Sequence, residues 1–134
     1  MKKTIILFKR FWPTMIVLAV ILYATLASDP AGAEELPPIP HIDKLIHAIM
    51  MGGLVGAIAF DSQRASMKSI VLTRRFMLAV TFGVMAFGVC DEFLQAAVDT
   101  GRSFELMDIA ADWTGSWVAF LAAPPAVLRV LKLR

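Results

Sequence analysis

The segment FMLAVTFGVMAFGVCDEFLQAAV, residues 76–98, decides how this chain is read. It follows two basic residues, Arg74 and Arg75, and carries no charge until Asp91, Glu92 and Gln95 near its far end. A bilayer span needs roughly 17–25 predominantly apolar residues. Taken alone, the segment also fits the buried helix of a soluble protein. Three similar runs elsewhere in 134 residues argue against that reading: 11–27, 45–60 and 109–123. The composition agrees, with 58% hydrophobic and 18% charged residues and a mean hydropathy of +0.71. A water-soluble core does not need so much apolar material. The expectation is an all-α polytopic membrane bundle of four transmembrane helices, forming one domain over residues 1–134. Residues 28–40 contain four prolines and read as an irregular linker. Residues 61–75 read as a polar loop.

Charge placement sets the expected orientation. Lys2, Lys3, Lys9 and Arg10 open the chain, Arg64, Lys68, Arg74 and Arg75 lie between the second and third runs, and Arg129, Lys132 and Arg134 close it. Only Lys44 and Arg102 fall on the other side, where every acidic residue except Asp61 lies. Lys/Arg bias in short loops fixes topology, so both termini are expected in the cytoplasm. A rival reading of the start is a secretory signal cleaved after Ala31-Gly32-Ala33. The apolar run is long for such a signal and stands well before that site. Cleavage would remove residues 1–33 and leave three spans. The net charge of +2 suggests no nucleic-acid partner. Cys90, the single cysteine, permits no intrachain disulfide and reads as a small packing residue.

Ionisable groups within a span cost on the order of 2.5–3.5 kcal/mol at its centre and less near its ends. Those of this chain gather at one side. Asp43, Lys44 and His47 open the second helix, Glu92 and Gln95 close the third, and Arg102, Asp108 and Asp112 lead into the fourth. Lys44 and His47 share a helix face, as do Glu92 and Gln95, with Gly88 one turn deeper. Asp108 and Asp112 continue as a stripe through Gly115, Ala119 and Ala122, small residues that suit close helix contact. Gly52, Gly53, Gly56 and Ala57 offer the same on the second helix. Plainer roles compete: Asp43 or Asp108 as N-caps, Lys44 as a snorkelling side chain, His47 as a packing residue, and Glu92, Gln95 and Arg102 as a structural network. Asp91 is read as lying on a different face from Gln95 and solvated. Trp12, Trp113, Trp117 and Tyr23 read as interfacial anchors or packing residues.

His47, Glu92, Asp108 and Asp112 are chemically able to bind a divalent ion, but no tight ligand motif is present and Lys44 and Arg102 would oppose a cation. No metal and no cofactor is therefore expected, and no P-loop, nucleophile elbow or C-x-x-C occurs. An anion fits better. The second and fourth helices present their N-termini to the outer side. A guanidinium at the lipid boundary suits phosphate.

The pattern Asp43-Lys44-Leu45-Ile46-His47, then Asp91-Glu92-Phe93-Leu94-Gln95, then Gly101-Arg102 followed by Asp108 and Gly115, resembles the VanZ-like membrane proteins. The resemblance covers residues 43–119; the first helix is similar in character only. Asp112 stands where that family usually has asparagine. The resemblance implies a small multi-pass protein of the bacterial cytoplasmic membrane, in a family named for a component linked to low-level teicoplanin resistance. The function expected is binding of an anionic, phosphate-bearing lipid or cell-envelope precursor headgroup at the outer leaflet. Lys44, His47, Glu92, Gln95, Arg102, Asp108 and Asp112 form the site, and membrane lipids are the partners. One alternative is an intramembrane enzyme acting on a lipid-linked substrate, with His47 or Glu92 as general base. The other is a structural or partner-binding protein.

Overall fold

The computed structural model describes residues 10–27, 40–66, 69–98 and 104–132. These form four helices and no strand: α1 Trp12–Leu26, α2 Ile42–Ala65, α3 Arg74–Ala97 and α4 Leu106–Val130. The first cleavable-signal reading, the four-proline linker and Arg102 lie wholly or largely outside the described residues. Both α2 and α3 are long and apolar enough to cross a membrane, and α1 is a shorter apolar helix. At 1.5 Å per residue, helices of 24 residues extend about 36 Å, more than the hydrocarbon thickness of about 30 Å.

Three helices outrun their sequence-based limits. α2 continues through Asp61 and Gln63, because those polar side chains find partners at its end rather than unwinding it. Gln63 is fully buried; its amide donates to the carbonyls of Ser66 and Ser69, and its Oε1 accepts from Val71 N–H at 3.0 Å. One side chain thus adds to the backbone bonds of the turn into α3. α4 begins at Leu106 and runs through Pro124 and Pro125 to Val130, past the expected end at 123. Each proline removes an N–H donor, but a helix held by its neighbours tolerates that loss. Val127 beyond them still packs into the core with Ile21, Leu54 and Met77. α3 opens at Arg74, where the hydroxyl of Thr73 caps Phe76 N–H.

Polarity is distributed the reverse of a water-soluble protein. Ile49, Phe82, Phe93, Val118 and Leu121 are exposed, whereas Asp61, Gln63, Asp91, Glu92, Gln95 and Asp112 are buried. Such a surface fits hydrocarbon around the bundle. Trp12, Tyr23, Trp113 and Trp117 are also exposed, which agrees with their reading as anchors. Cys90 is exposed too, and does not pack in the core as its apolar surroundings suggested.

The closest approach in the bundle is between α2 and α4. A Cβ on Gly115 would stand 1.9 Å from the carbonyl oxygen of Ala48, and one on Gly52 would stand 2.9 Å from that of Gly115. No side chain fits there, so these glycines allow the two backbones to meet. By contrast, a Cβ on Gly53 or Gly56 meets nothing within 4 Å. We therefore expect Gly115→Ala to lower the thermal midpoint in detergent, with a cost of about 1–3 kcal/mol from overpacking. Gly53→Ala should leave it unchanged or slightly raised. Thermal unfolding of both variants by circular dichroism checks the contrast.

Candidate functional site

Helix order brings α1 and α3 to their C-termini where α2 and α4 begin. Contacts at each end establish this: Thr14 meets Asp61, Thr25 meets Asp91, and His47 meets Asp112. The polar residues read from α2, α3 and α4 therefore converge at one end of the bundle. The expected juxtaposition is present for His47, Glu92, Gln95, Asp108 and Asp112. Arg102 lies outside the described residues.

His47 sits at the centre. Its Nδ1 is 3.1 Å from Asp112 Oδ1 and 3.9 Å from Glu92 Oε1, while Nε2 is 3.9 Å from Asp108 Oδ2. A carboxylate hydrogen-bonded to Nδ1 fixes the ring's plane and favours the tautomer with its proton there. His47 occupies this place because α2 and α4 touch through Ala48 and Gly115, the residue after the histidine and one turn beyond Asp112. Gly88 makes the corresponding space on α3: a Cβ there would stand 2.7 Å from Asp112 Oδ2. The expectation that Gly88 shares the Glu92 face is thus realised as room for an aspartate from α4.

Glu92 is 1% exposed, and its Oε2 accepts from Glu105 N–H at 3.3 Å. The Gln95 amide lies 3.4 Å from both Glu92 Oε1 and Asp91 Oδ2. Asp91 corrects the sequence reading: it is buried, not solvated, and shares a face with Gln95 because the two are four residues apart. Its Oδ1 lies 3.1 Å from the hydroxyl of Thr25, whose single hydrogen it shares with the Ile21 carbonyl at 2.9 Å. Thr25 brings α1 into the polar layer, a contribution that nothing in the α1 sequence signals beyond one hydroxyl in an apolar run.

Lys44 does not snorkel. Its ammonium stands 2.5 Å from Asp108 Oδ1, 2.5 Å from Glu105 Oε2 and 2.6 Å from Asp43 Oδ2. Neither Asp43 nor Asp108 is an N-cap. His41, in the left-handed region at φ 61°, precedes α2, and Glu105 precedes α4, each without a side-chain cap bond. Both aspartates lie instead in the first turn of their helices, where a negative charge complements the helix dipole. Glu105 was not singled out in the sequence, where it resembles any acid of a polar turn.

A family model described as VanZ/LLP1 matches residues 3–129. The chain belongs to the VanZ/LLP1 family. The match takes in α1 as well as the helices whose motifs carry the resemblance. No curated protein and no solved structure matches the chain. In this VanZ/LLP1 chain the polar motif residues His47, Asp91, Glu92, Gln95 and Asp108 form one buried layer, with Asp43 exposed beside it.

The opposite end holds a self-contained polar group. Asp61, fully buried, accepts from the N–H and hydroxyl of Thr14 at 2.9 and 2.7 Å and pairs with Arg64 at 2.9 Å. Arg64 also donates to the carbonyl of Arg10, and Arg10 to that of Ala65. This joins α1 to α2 and resembles a clasp more than a site.

Removing Asp112 entirely should leave Nδ1 of His47 buried without a partner, at a cost of about 1–3 kcal/mol. Asp112→Ala is therefore expected to lower the melting temperature clearly more than Asp112→Asn, whose side-chain oxygen can still accept the bond. Equal losses in a detergent melting series would show that the pair does not hold the ring.

Proposed function

We propose that this VanZ/LLP1 protein crosses the bacterial cytoplasmic membrane four times, with both termini inside, and binds a phosphate-bearing lipid headgroup at the outer leaflet. The topology rests on the basic residues gathered at the Asp61 end and its loops, and on the acidic residues gathered at the His47 end. Binding rests chiefly on one observation: a buried polar layer continues directly into an apolar groove that opens sideways. The groove runs between α2 and α4, has a volume of about 440 Å³, and is lined by Ala48, Gly52, Gly53, Gly56, Gly115 and Ala119 among others. Ala48 follows His47, and Gly115 lies one turn past Asp112, so the groove begins where the polar layer ends. A polar head above one or two hydrocarbon chains has the same division.

Within the layer, Lys44 is already held by three carboxylates. The phosphate therefore falls to Arg102 and to the first-turn N–H groups of α2 and α4. Gln95 and His47 supply contacts for hydroxyls or amines of the same head. A cell-envelope precursor carried on a lipid phosphate has this chemistry, which is how such a protein would bear on sensitivity to a glycopeptide such as teicoplanin.

Lipid retention tests the reading. Mass spectrometry of lipid carried through purification should show a phosphate-bearing species with the wild type. Its loss is expected with Arg102→Ala, and also with Gly53→Leu, which places a side chain in the groove where the backbone has room for it. Unchanged retention in both folded variants would remove the proposal.

One observation favours a second reading, catalysis on a lipid-linked substrate. A histidine oriented by a carboxylate at 3.1 Å, beside a second buried carboxylate, is a recurrent general-base arrangement. Turnover of a lipid phosphate substrate that vanishes in a folded His47→Ala variant would favour it over binding alone.

A further inference from the structure

We propose that His47, Glu92 and Asp108 together bind one divalent transition-metal ion of the Zn²⁺ type. Each comes from a different helix, and one donor atom from each lies within 4.8 Å of the other two. Donor atoms around a tetrahedral ion stand roughly 3.3 Å apart, given metal–ligand distances of about 2.0–2.1 Å. Nε2 of His47 stands 3.9 Å from Asp108 Oδ2 and needs only a small side-chain rotation to reach that spacing, whereas Glu92 Oε1 stands 3.9 Å from Nδ1 and has to turn toward Nε2 to complete the set. A mixed imidazole and carboxylate set suits Zn²⁺ and neighbouring ions better than Mg²⁺.

Three further features point to an ion rather than to packing. Asp112 engages Nδ1 of His47, which leaves Nε2 toward Asp108 as the ligating nitrogen. A ligating histidine characteristically gives its other N–H to a carboxylate, which fixes the ring and raises its basicity. Next, Asp112 is 1% exposed, and its Oδ2 has no hydrogen-bond partner among the described residues. That oxygen faces α3 at Gly88, one helical turn from Glu92. Finally, Lys44 does not neutralise the layer. Its ammonium binds Oδ1 of Asp108 and is shared with Asp43 and Glu105, while Oδ2 of Asp108 faces His47. Lys44 thus orients one ligand, and three carboxylates share the charge with which it would oppose the ion. Asp91, Glu92 and Asp112 remain buried with no lysine or arginine pair among the described residues. Burial disfavours an ionised carboxylate, and a dication held by Glu92 and Asp108 beside Asp112 would offset that cost.

Three protein ligands leave at least one coordination position open. A phosphate oxygen of the headgroup fits there, bridging an acidic site to an anionic ligand; this part rests on the reading under Proposed function, whereas the binding of the ion does not.

The test uses the full chain in detergent, stripped with a chelator and then titrated with Zn²⁺ by calorimetry, with Co²⁺ as a visible-absorption probe. One ion per chain is expected, with Co²⁺ bands of low coordination symmetry. Affinity should fall tenfold or more in Glu92→Gln, which preserves shape, and in His47→Ala, while Asp43→Asn keeps it. Circular dichroism confirms that the variants are helical. Absence of Zn²⁺ binding by the stripped wild type, or affinity unchanged from wild type in Glu92→Gln and His47→Ala, overturns the ion. Persistence of Arg102-dependent lipid retention in that case leaves the headgroup reading intact. Conversely, an ion that binds while chelation leaves lipid retention unchanged supports the metal site and overturns the bridge.

Discussion

Everything in this bundle answers to the cost of placing a carboxylate where the surroundings are hydrocarbon. An unpaired charge there costs several kcal/mol, so each buried acid dictates what must stand beside it. At the Asp61 end the requirement is met locally. Two Thr14 donors and the Arg64 guanidinium saturate one carboxylate, and the cross-bonds between Arg10 and Arg64 tie the helix ends together. At the His47 end the accounts differ. Asp91, Glu92, Asp108 and Asp112 lie at similar depth, and the described donors that meet them are a threonine hydroxyl, an amide, one backbone N–H, one imidazole and one shared lysine. A layer built only to hold helices together would not need that surplus of acid. The contrast between the two ends is the physical reason for placing function at one of them.

The polar layer depends in turn on the glycine contact beneath it. Carboxylates on α4 reach a histidine on α2 at 3.1 Å because Gly115 lies against Ala48, one turn below the contact. A larger residue at that crossing would part the helices and lengthen every distance across the layer. The same small residues leave the outward groove, since a side chain on Gly53 or Gly56 would meet nothing within 4 Å and both line the space between α2 and α4. Packing, polar geometry and access for a hydrocarbon chain are therefore consequences of one choice of residue size along α2 and α4.

Much of this was legible in the chain. The four apolar runs and their polar ends predict four helices, and i,i+3 and i,i+4 spacing places His47, Glu92, Asp108 and Asp112 on inward faces. Helix ends were less legible. Asp61 and Gln63 look like loop residues because their partners, Thr14 and the backbone around Val71, are distant in sequence or belong to the turn itself. Pro124 and Pro125 look like a terminus because local propensity counts a missing donor but not the tertiary contacts made by Val127. The capture of Lys44 was hidden for a similar reason: Glu105 lies 61 positions away. Asp91 was misjudged although its spacing to Gln95 was in plain view; a helical wheel alone would have placed the two together.

The charge of Asp112 deserves separate weight from its geometry. Orienting His47 requires only an acceptor at Nδ1, and a neutral amide of the same shape offers one. The carboxylate therefore adds something that positioning does not require, namely a second oxygen, Oδ2, buried against Gly88 without a donor. In a polar cavity open to water that oxygen would be solvated at little cost. Here it lies among apolar helices, where an ionised Asp112 would lower the free energy of a positive species standing between α2, α3 and α4. A cation held at His47, as proposed above, would gain from the same oxygen. Under the proposed metal site, a carboxylate at this position contributes charge as well as an acceptor for His47.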